Sequence, residues 1–320
     1  MKRRFTRTVS GYGTWSGFLG IYRECPPGGI GWDIGESGRR RGHMFTYSVT
    51  QWIFGNEPMD TSLQRLQRFG YDGVELAGEP AKLDIDGLRE QMKRYGLVCT
   101  SICGIYTAER DLSHHDPTRR QEAVRYVKDC VDMAERLGAS VVIVVPTPVG
   151  KNGPITNRQD EWANAILSLK EAGTYAQSKN VRLAIEALNR FETYLVNTLA
   201  AAKRLAEAVN VASVGVMADL FHMNIEERDH SEAIRDIAPY LAHVHIADNT
   251  REAAGLGQTD FTDVFRTLIG IGYDGNVTME FLPRISNPYK AAGTTGSGEI
   301  YDAYAKQSIE HIRGIVRKLR

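Results

Sequence analysis

The sequence has little of what marks several broad classes of protein. Four cysteines in 320 residues, none of them in a Cys-x-x-Cys pair, argue against a disulfide-built scaffold. Cys25, Cys99, Cys103 and Cys130 read as reduced thiols, as in a cytoplasmic protein. No stretch approaches the roughly 18 uncharged apolar residues that a membrane-spanning helix needs, so no membrane partner is expected. There is no surplus of one charge either, with 39 Lys and Arg against 39 Asp and Glu. Nucleic-acid binding rests on a surplus of cations facing phosphates, so it is not expected. A Gly-x-Gly-x-x-Gly turn after the first strand is missing, which weighs against a doubly wound, dinucleotide-binding sheet.

The charge balance hides a division. Residues 1–43 carry eight Lys or Arg against three acids and hold ten of the 31 glycines, leaving an acidic excess of five for residues 44–320. Gly28-Gly29 beside Pro26-Pro27 breaks any element that could start there, and no period of 2 or 3.6 runs through the stretch. It reads as a flexible Gly/Arg-rich extension. Arg3-Arg4-Phe5 has the look of a twin-arginine export signal, but Gly11, Gly13 and Gly17 interrupt the segment after it and no Ala-x-Ala site appears. Met44, immediately before the first clear strand, is the expected functional start.

From Met44 onward, short apolar, β-branched runs alternate with amphipathic stretches. The runs are Phe45–Val49, Gly73–Leu76, Val98–Cys103, Ser140–Val145, Arg182–Leu188, Val214–Leu220, Leu241–Ala247 and Asn276–Phe281. Runs such as Val141–Val145 are apolar throughout, which suits parallel strands covered on both faces. Between them, Leu63/Leu66, Leu88/Met92, Val127/Val131/Ala134 and Ile166/Leu169 recur at helical spacing, and Asp116-Pro117 reads as a helix start. Eight strand–helix units predict an α/β fold over 44–320, the closed (β/α)8 TIM barrel, which typically takes about 250 residues.

Chemistry in such a barrel sits where strands end. Strand five closes on Glu186, strand six on Asp219, strand seven on His243-Val244-His245, and strand eight on Glu280. Each of these is about one strand–helix unit from the next, so consecutive strands can bring all four to one point. Any one of them alone has an ordinary reading, as a surface carboxylate or a hydrogen-bonded core imidazole. Gathering three buried carboxylates without a cation would cost several kcal/mol. The set Glu186, Asp219, His245 and Glu280 is thus expected to hold a divalent metal, and its hard, oxygen-rich character suits Mn2+, Co2+ or Mg2+. His245 is preferred to His243 on the expectation that strand alternation points the two to opposite faces.

The residues around these four carry a resemblance. Glu186-Ala187-Leu188-Asn189-Arg190-Phe191-Glu192-Thr193-Tyr194, then Asp219-Leu220-Phe221-His222-Met223-Asn224-Ile225-Glu226-Glu227, then His243-Val244-His245 with Arg251 six residues on, resemble the ketose 3-epimerases. Those enzymes, among them the D-tagatose and D-psicose 3-epimerases, belong to the xylose-isomerase-like barrels. The resemblance covers residues 44–320 and implies a metal, Mn2+ first, on the four ligands. It also implies that Glu192, His222 and Arg251 contact the sugar, and that the assembly is a homodimer or homotetramer. Read singly, His222 also fits a helix cap and Arg251 a solvated loop cation.

A proton beside a ketone is acidic enough for a carboxylate only if the developing enolate is stabilised. Glu186 and Glu280 are therefore expected to flank C3 of the ketose, one removing its proton to give a metal-stabilised cis-enediolate and the other reprotonating the opposite face. Arg251 and His222 would stabilise charge at O2, and Glu192 would orient a hydroxyl. Trp52, Glu75, Cys103 and His114-His115 lie near other strand ends and are candidates to shape the sugar cavity. Gly293–Gly298, which lacks a Gly-Lys-Ser/Thr, is expected to be a mobile loop, favouring an unphosphorylated sugar.

Two loops depart from the epimerase pattern and leave the substrate open. Ala247-Asp248-Asn249-Thr250-Arg251 stands where an acidic Ser-Glu-Asn-Asp-like run is usual, and Val145-Pro146-Thr147-Pro148 is unusual as well. The alternatives are the catalytic α subunit of a C-glycoside deglycosidase, partnered by a small β subunit, and an inosose or hydroxypyruvate isomerase. An endonuclease-IV-like phosphodiesterase would need more His ligands and a basic face. A non-catalytic sugar binder would not need two opposed carboxylates.

Overall fold

The computed structural model describes residues 44–284 and 298–320. Its eight strands are β1 (Thr46–Thr50), β2 (Gly73–Gly78), β3 (Val98–Gly104), β4 (Val141–Val144), β5 (Arg182–Glu186), β6 (Val214–Asp219), β7 (Leu241–Ile246) and β8 (Asn276–Met279). Each is parallel to the next, and β8 returns to pair with β1, so the sheet closes into the expected barrel. Closure removes every sheet edge and buries both strand faces, which is why these runs are apolar rather than alternating.

The helices are α1 (Met59–Phe69), α2 (Ile85–Tyr95), α3 (Pro117–Leu137), α4 (Arg158–Ser178), α5 (Leu199–Val209), α6 (Leu220–Glu226), α7 (His230–Asp236), α8 (Phe261–Gly270) and α9 (Gly298–Leu319). Leu63, Leu66, Leu88, Met92, Val127, Val131 and Ala134 form the buried faces, as their spacing requires. At the start of α3, the Asp116 carboxylate accepts from the Thr118 N–H at 2.8 Å, and Pro117 follows at the first helical position. Gly138 stops the same helix in the left-handed region, at φ 73°. One face differs from expectation. Along α4, Ala165, Leu169, Ala172 and Ala176 are buried while Ile166 is only half-buried, because small residues let this helix lie close to the barrel.

Strands four to eight end one or two residues earlier than their apolar runs suggest. Asp219 Oδ1 accepts from the Phe221 N–H at 2.8 Å, so Leu220 opens α6 instead of extending β6. A strand-to-helix turn without a linker thus fixes the backbone of Asp219. The 1–43 extension lies outside the described residues, and so does the Gly293–Gly298 run apart from Gly298. Among the described residues, no helix is long and apolar enough to cross a membrane.

Candidate metal centre and active site

Glu186 ends β5, Asp219 ends β6, His245 lies in β7, and Glu280 follows β8. All four are buried, and one ligand atom from each lies within 4.8 Å of the others. The strand-end spacing read from the sequence does bring these side chains to one point.

The carboxylates differ in environment. Burial pushes the Glu186 carboxyl well above its ordinary pKa, and the charges of Glu280 and Asp219 push it further. Burial also opposes ionisation of Glu280, but Arg251 and His245 outweigh it and hold that group well below the ordinary range. Arg251 Nη2 donates to Glu280 Oε2 at 2.8 Å, and His245 Nδ1 lies 3.0 Å from the same oxygen. Trp52 Nε1 donates to Glu280 Oε1 at 3.0 Å. Asp219 Oδ2 is buried without a hydrogen-bond donor and faces His222, His245 and Arg251 at 3.6 to 3.9 Å. An orphaned carboxylate oxygen, a carboxyl driven to keep its proton by burial and two neighbouring acids, and an imidazole between them fit a divalent cation.

His222 and Arg251 are not the surface groups that their single readings allowed. His222 sits inside α6 and is buried, and its Nδ1 accepts from the Asn189 backbone N–H at 3.2 Å. That bond assigns the ring proton to Nε2, which lies 3.8 Å from Glu186 and 3.6 Å from Asp219. Burial lowers the His222 pKa, favouring the neutral ring. Asn189 Nδ2 also donates to Glu192 Oε1 at 2.9 Å, which ties Glu192 to the same group. Arg251 is buried, stacks on the Phe221 ring at 4.4 Å, and holds a left-handed backbone at φ 64°. A non-glycine residue there is strained and needs its surroundings to keep it in place. Asp248 does so, accepting backbone N–H groups from Asn249, Gly255, Gly257 and Thr259 at 2.8 to 3.0 Å.

His243 and His245 share one face of β7, which corrects the expectation that strand alternation would separate them. Residues two apart on a strand point the same way, and both rings turn into the barrel. Their Nε2 atoms lie 2.9 and 3.1 Å from the Glu75 carboxylate, and the ring centroids are 5.0 Å apart. What separates them is depth: only His245 reaches Asp219 and Glu280. Glu75 is therefore beneath the cluster, not in its wall. Cys103 lies in the inner apolar layer with Ile143, Ala184 and Met217, and Trp52 packs against that layer. His114 and His115 stack on each other at 4.4 Å, where His114 Nδ1 accepts from the Asp116 N–H ahead of α3. Asn189 and Asp248 went unassigned in the sequence because their roles are to hold other residues.

The closed parallel barrel is the fold of the xylose isomerase-like TIM barrels. The sequence matches that family over residues 63–313, and the chain belongs to it. It is 30% identical over 242 residues to a D-psicose 3-epimerase of Ruminiclostridium cellulolyticum, covering 73% of this chain and 80% of that protein. It is 28% identical over 239 residues to an L-ribulose 3-epimerase of Mesorhizobium japonicum, covering 74% and 79%. It is 29% identical over 233 residues to a 3-dehydro-D-guloside 4-epimerase of Escherichia coli, covering 71% and 88%. A crystal structure of the D-psicose 3-epimerase from Clostridium cellulolyticum H10 with D-tagatose shares the fold, with a TM-score of 0.75 at 24% identity over 85% of this chain and 99% of that one.

Proposed function

We propose that the protein is a metal-dependent sugar epimerase, an isomerase that inverts C3 of an unphosphorylated ketose. The observation that carries this reading is the convergence of Glu186 and Glu280, from strands three apart in the ring, onto one point shared with Asp219 and His245. Glu186, Asp219, His245 and Glu280 would hold the cation, Mn2+ first and Co2+ or Mg2+ as alternatives, which when bound polarises a carbonyl as a Lewis acid.

The protein's own groups supply the rest. Inversion needs a base on each face of the carbon. One of Glu186 and Glu280 takes the C3 proton, leaving the electron pair in an enediolate, and the other returns a proton from the opposite side. His222 Nε2–H and the Arg251 guanidinium donate to the oxygen where negative charge develops. Glu192, steadied by Asn189, accepts from a sugar hydroxyl. This reading is preferred to the deglycosidase and to the inosose or hydroxypyruvate isomerases because the D-psicose, L-ribulose and 3-dehydro-D-guloside relatives are epimerases by name.

The test is incubation of the Mn2+-loaded protein with D-psicose, D-tagatose, L-ribulose and a 3-keto-glycoside in D2O, with NMR as the readout. Deuterium at C3 of a ketose, together with its epimer, is the expected result. Exchange with aglycone release would favour the lyase, and no exchange with any of them would sink the proposal.

A further inference from the structure

A fully buried carboxylate belongs to β2, on the side of the ring away from the carboxylate cluster. Glu75 is fully buried, and its carboxylate accepts from Ser101 Oγ at 2.6 Å. His243 Nε2 and His245 Nε2 lie 2.9 and 3.1 Å from it. The opposite ring nitrogen of His245, Nδ1, points at Glu280 and Asp219. Both nitrogens of one imidazole thus meet carboxylates, one below and one in the cluster.

An imidazole that binds a cation through Nδ1 must carry its proton on Nε2, and that proton needs an acceptor in a place water does not reach. We infer that Glu75 is a positioning residue: by accepting the Nε2 proton of His245 it fixes the tautomer and ring orientation that aim the Nδ1 lone pair at Glu186, Asp219 and Glu280. The inference rests on the metal reading of that cluster. Glu75 is held for this role from three sides, by the Ser101 hydroxyl and by the two rings. Ser101 in turn adjoins Thr100, whose hydroxyl donates to Ser48 at 2.9 Å, and Ser48 pairs with Thr278 at 2.7 Å. This hydroxyl chain runs from β3 across β1 to β8 and ties the acceptor side of Glu75 to the barrel interior.

Glu75, His243 and His245 also bring one ligand atom each within 4.8 Å of one another, the arrangement a second cation would use. The hydrogen-bonded reading is favoured because the carboxylate already accepts from Ser101 and His245, and a second ion would have to displace the His245 proton.

The test has two parts. Mn2+ uptake is titrated by electron paramagnetic resonance in the wild-type protein and in Glu75→Gln, with circular dichroism reporting folding. Separately, the wild-type protein loaded with Mg2+ is measured by long-range 1H–15N NMR of its histidine rings. The expected results are one Mn2+ per wild-type chain, binding about 10- to 100-fold weaker in folded Glu75→Gln, and a His245 ring protonated at Nε2 alone. Unchanged affinity in the folded variant, or a His245 proton on Nδ1, overturns the positioning role. Two Mn2+ per chain, one of them lost in Glu75→Gln, replaces it with a second metal site. No Mn2+ uptake by the wild type overturns the metal reading itself, and the positioning role with it. Should Glu75→Gln not fold, the NMR of the wild type decides.

Discussion

Trp52 Nε1 donates to Glu280 Oε1 at 3.0 Å, so a side chain from the turn after β1 holds a carboxylate that follows β8. Arg251 and His245 engage the other oxygen of Glu280, and without the indole N–H that carboxylate is held on one side only. Hydrogen bonds to charged groups contribute about 1.5–3 kcal/mol. Trp52→Phe keeps the ring and removes the donor, so kcat/KM for the preferred ketose is expected to fall about 10- to 100-fold. Steady-state kinetics with an unchanged melting curve would check this.

Glu186→Gln and Glu280→Gln test the two-base scheme directly. Each is expected to lower turnover by at least about 100-fold, the typical contribution of a positioned acid or base. The informative measurement is C3–H exchange in D2O alongside epimer formation. A variant missing only the returning acid can still exchange in one direction, whereas full turnover in either metal-replete variant would end the scheme.

Removal of the metal should act on stability as well as activity. Without a cation, Glu186 is forced toward its protonated form by burial and by Glu280 and Asp219. Chelation is expected to abolish epimerisation and to lower Tm, and Mn2+ at about 100 times its Kd restores roughly 2.7 kcal/mol by mass action. Differential scanning calorimetry across a Mn2+ series reads the effect.

A second buried ionic group is separate from the cluster. Lys151 Nζ lies 2.6 Å from both Asp111 and Glu161, and Tyr194 donates to Glu161, linking the loops after β3, β4 and β5. Burial opposes ionisation of Glu161, but Lys151, Tyr194 and the Ile155 N–H outweigh it and hold the carboxyl below its ordinary range. A carboxyl whose pKa is lower folded than unfolded stabilises the fold above the unfolded value, about 4.3, and loses that contribution as pH falls through the folded value. Glu161→Gln is expected to cost about 3 kcal/mol at pH 7 and to flatten the loss of stability below about pH 4.3. Urea unfolding at a series of pH values would show both.

Much of this was legible in the sequence because it depends on spacing along the chain. The eight strands announce themselves as apolar runs, and Glu186, Asp219, His245 and Glu280 as strand ends one unit apart. What was not legible depends on closure. Glu75 precedes His245 by 170 positions, and only when β8 joins β1 does β2 come within reach of β7. The placing of His243 and His245 on opposite faces failed on the two-residue strand period, which puts both rings inside. Asn189 and Asp248 bind backbone or other side chains, and nothing in their spacing separates them from ordinary turn residues.

Asp248 gathers four backbone N–H groups, and Gly257 comes so near that an added Cβ would lie 2.4 Å from its carboxylate. The bend that presents Arg251 is thereby shaped from within, and the Leu282 N–H and the Ser308 hydroxyl fasten it to the segment after β8 and to the last helix. The loop after β4 is fastened elsewhere, where Thr147 pairs with Thr193 and the Gly150 N–H donates to the Glu192 carbonyl. The segments that bear Glu192 and Arg251 thus have separate fastenings, and a change in one leaves the hydrogen bonds of the other in place.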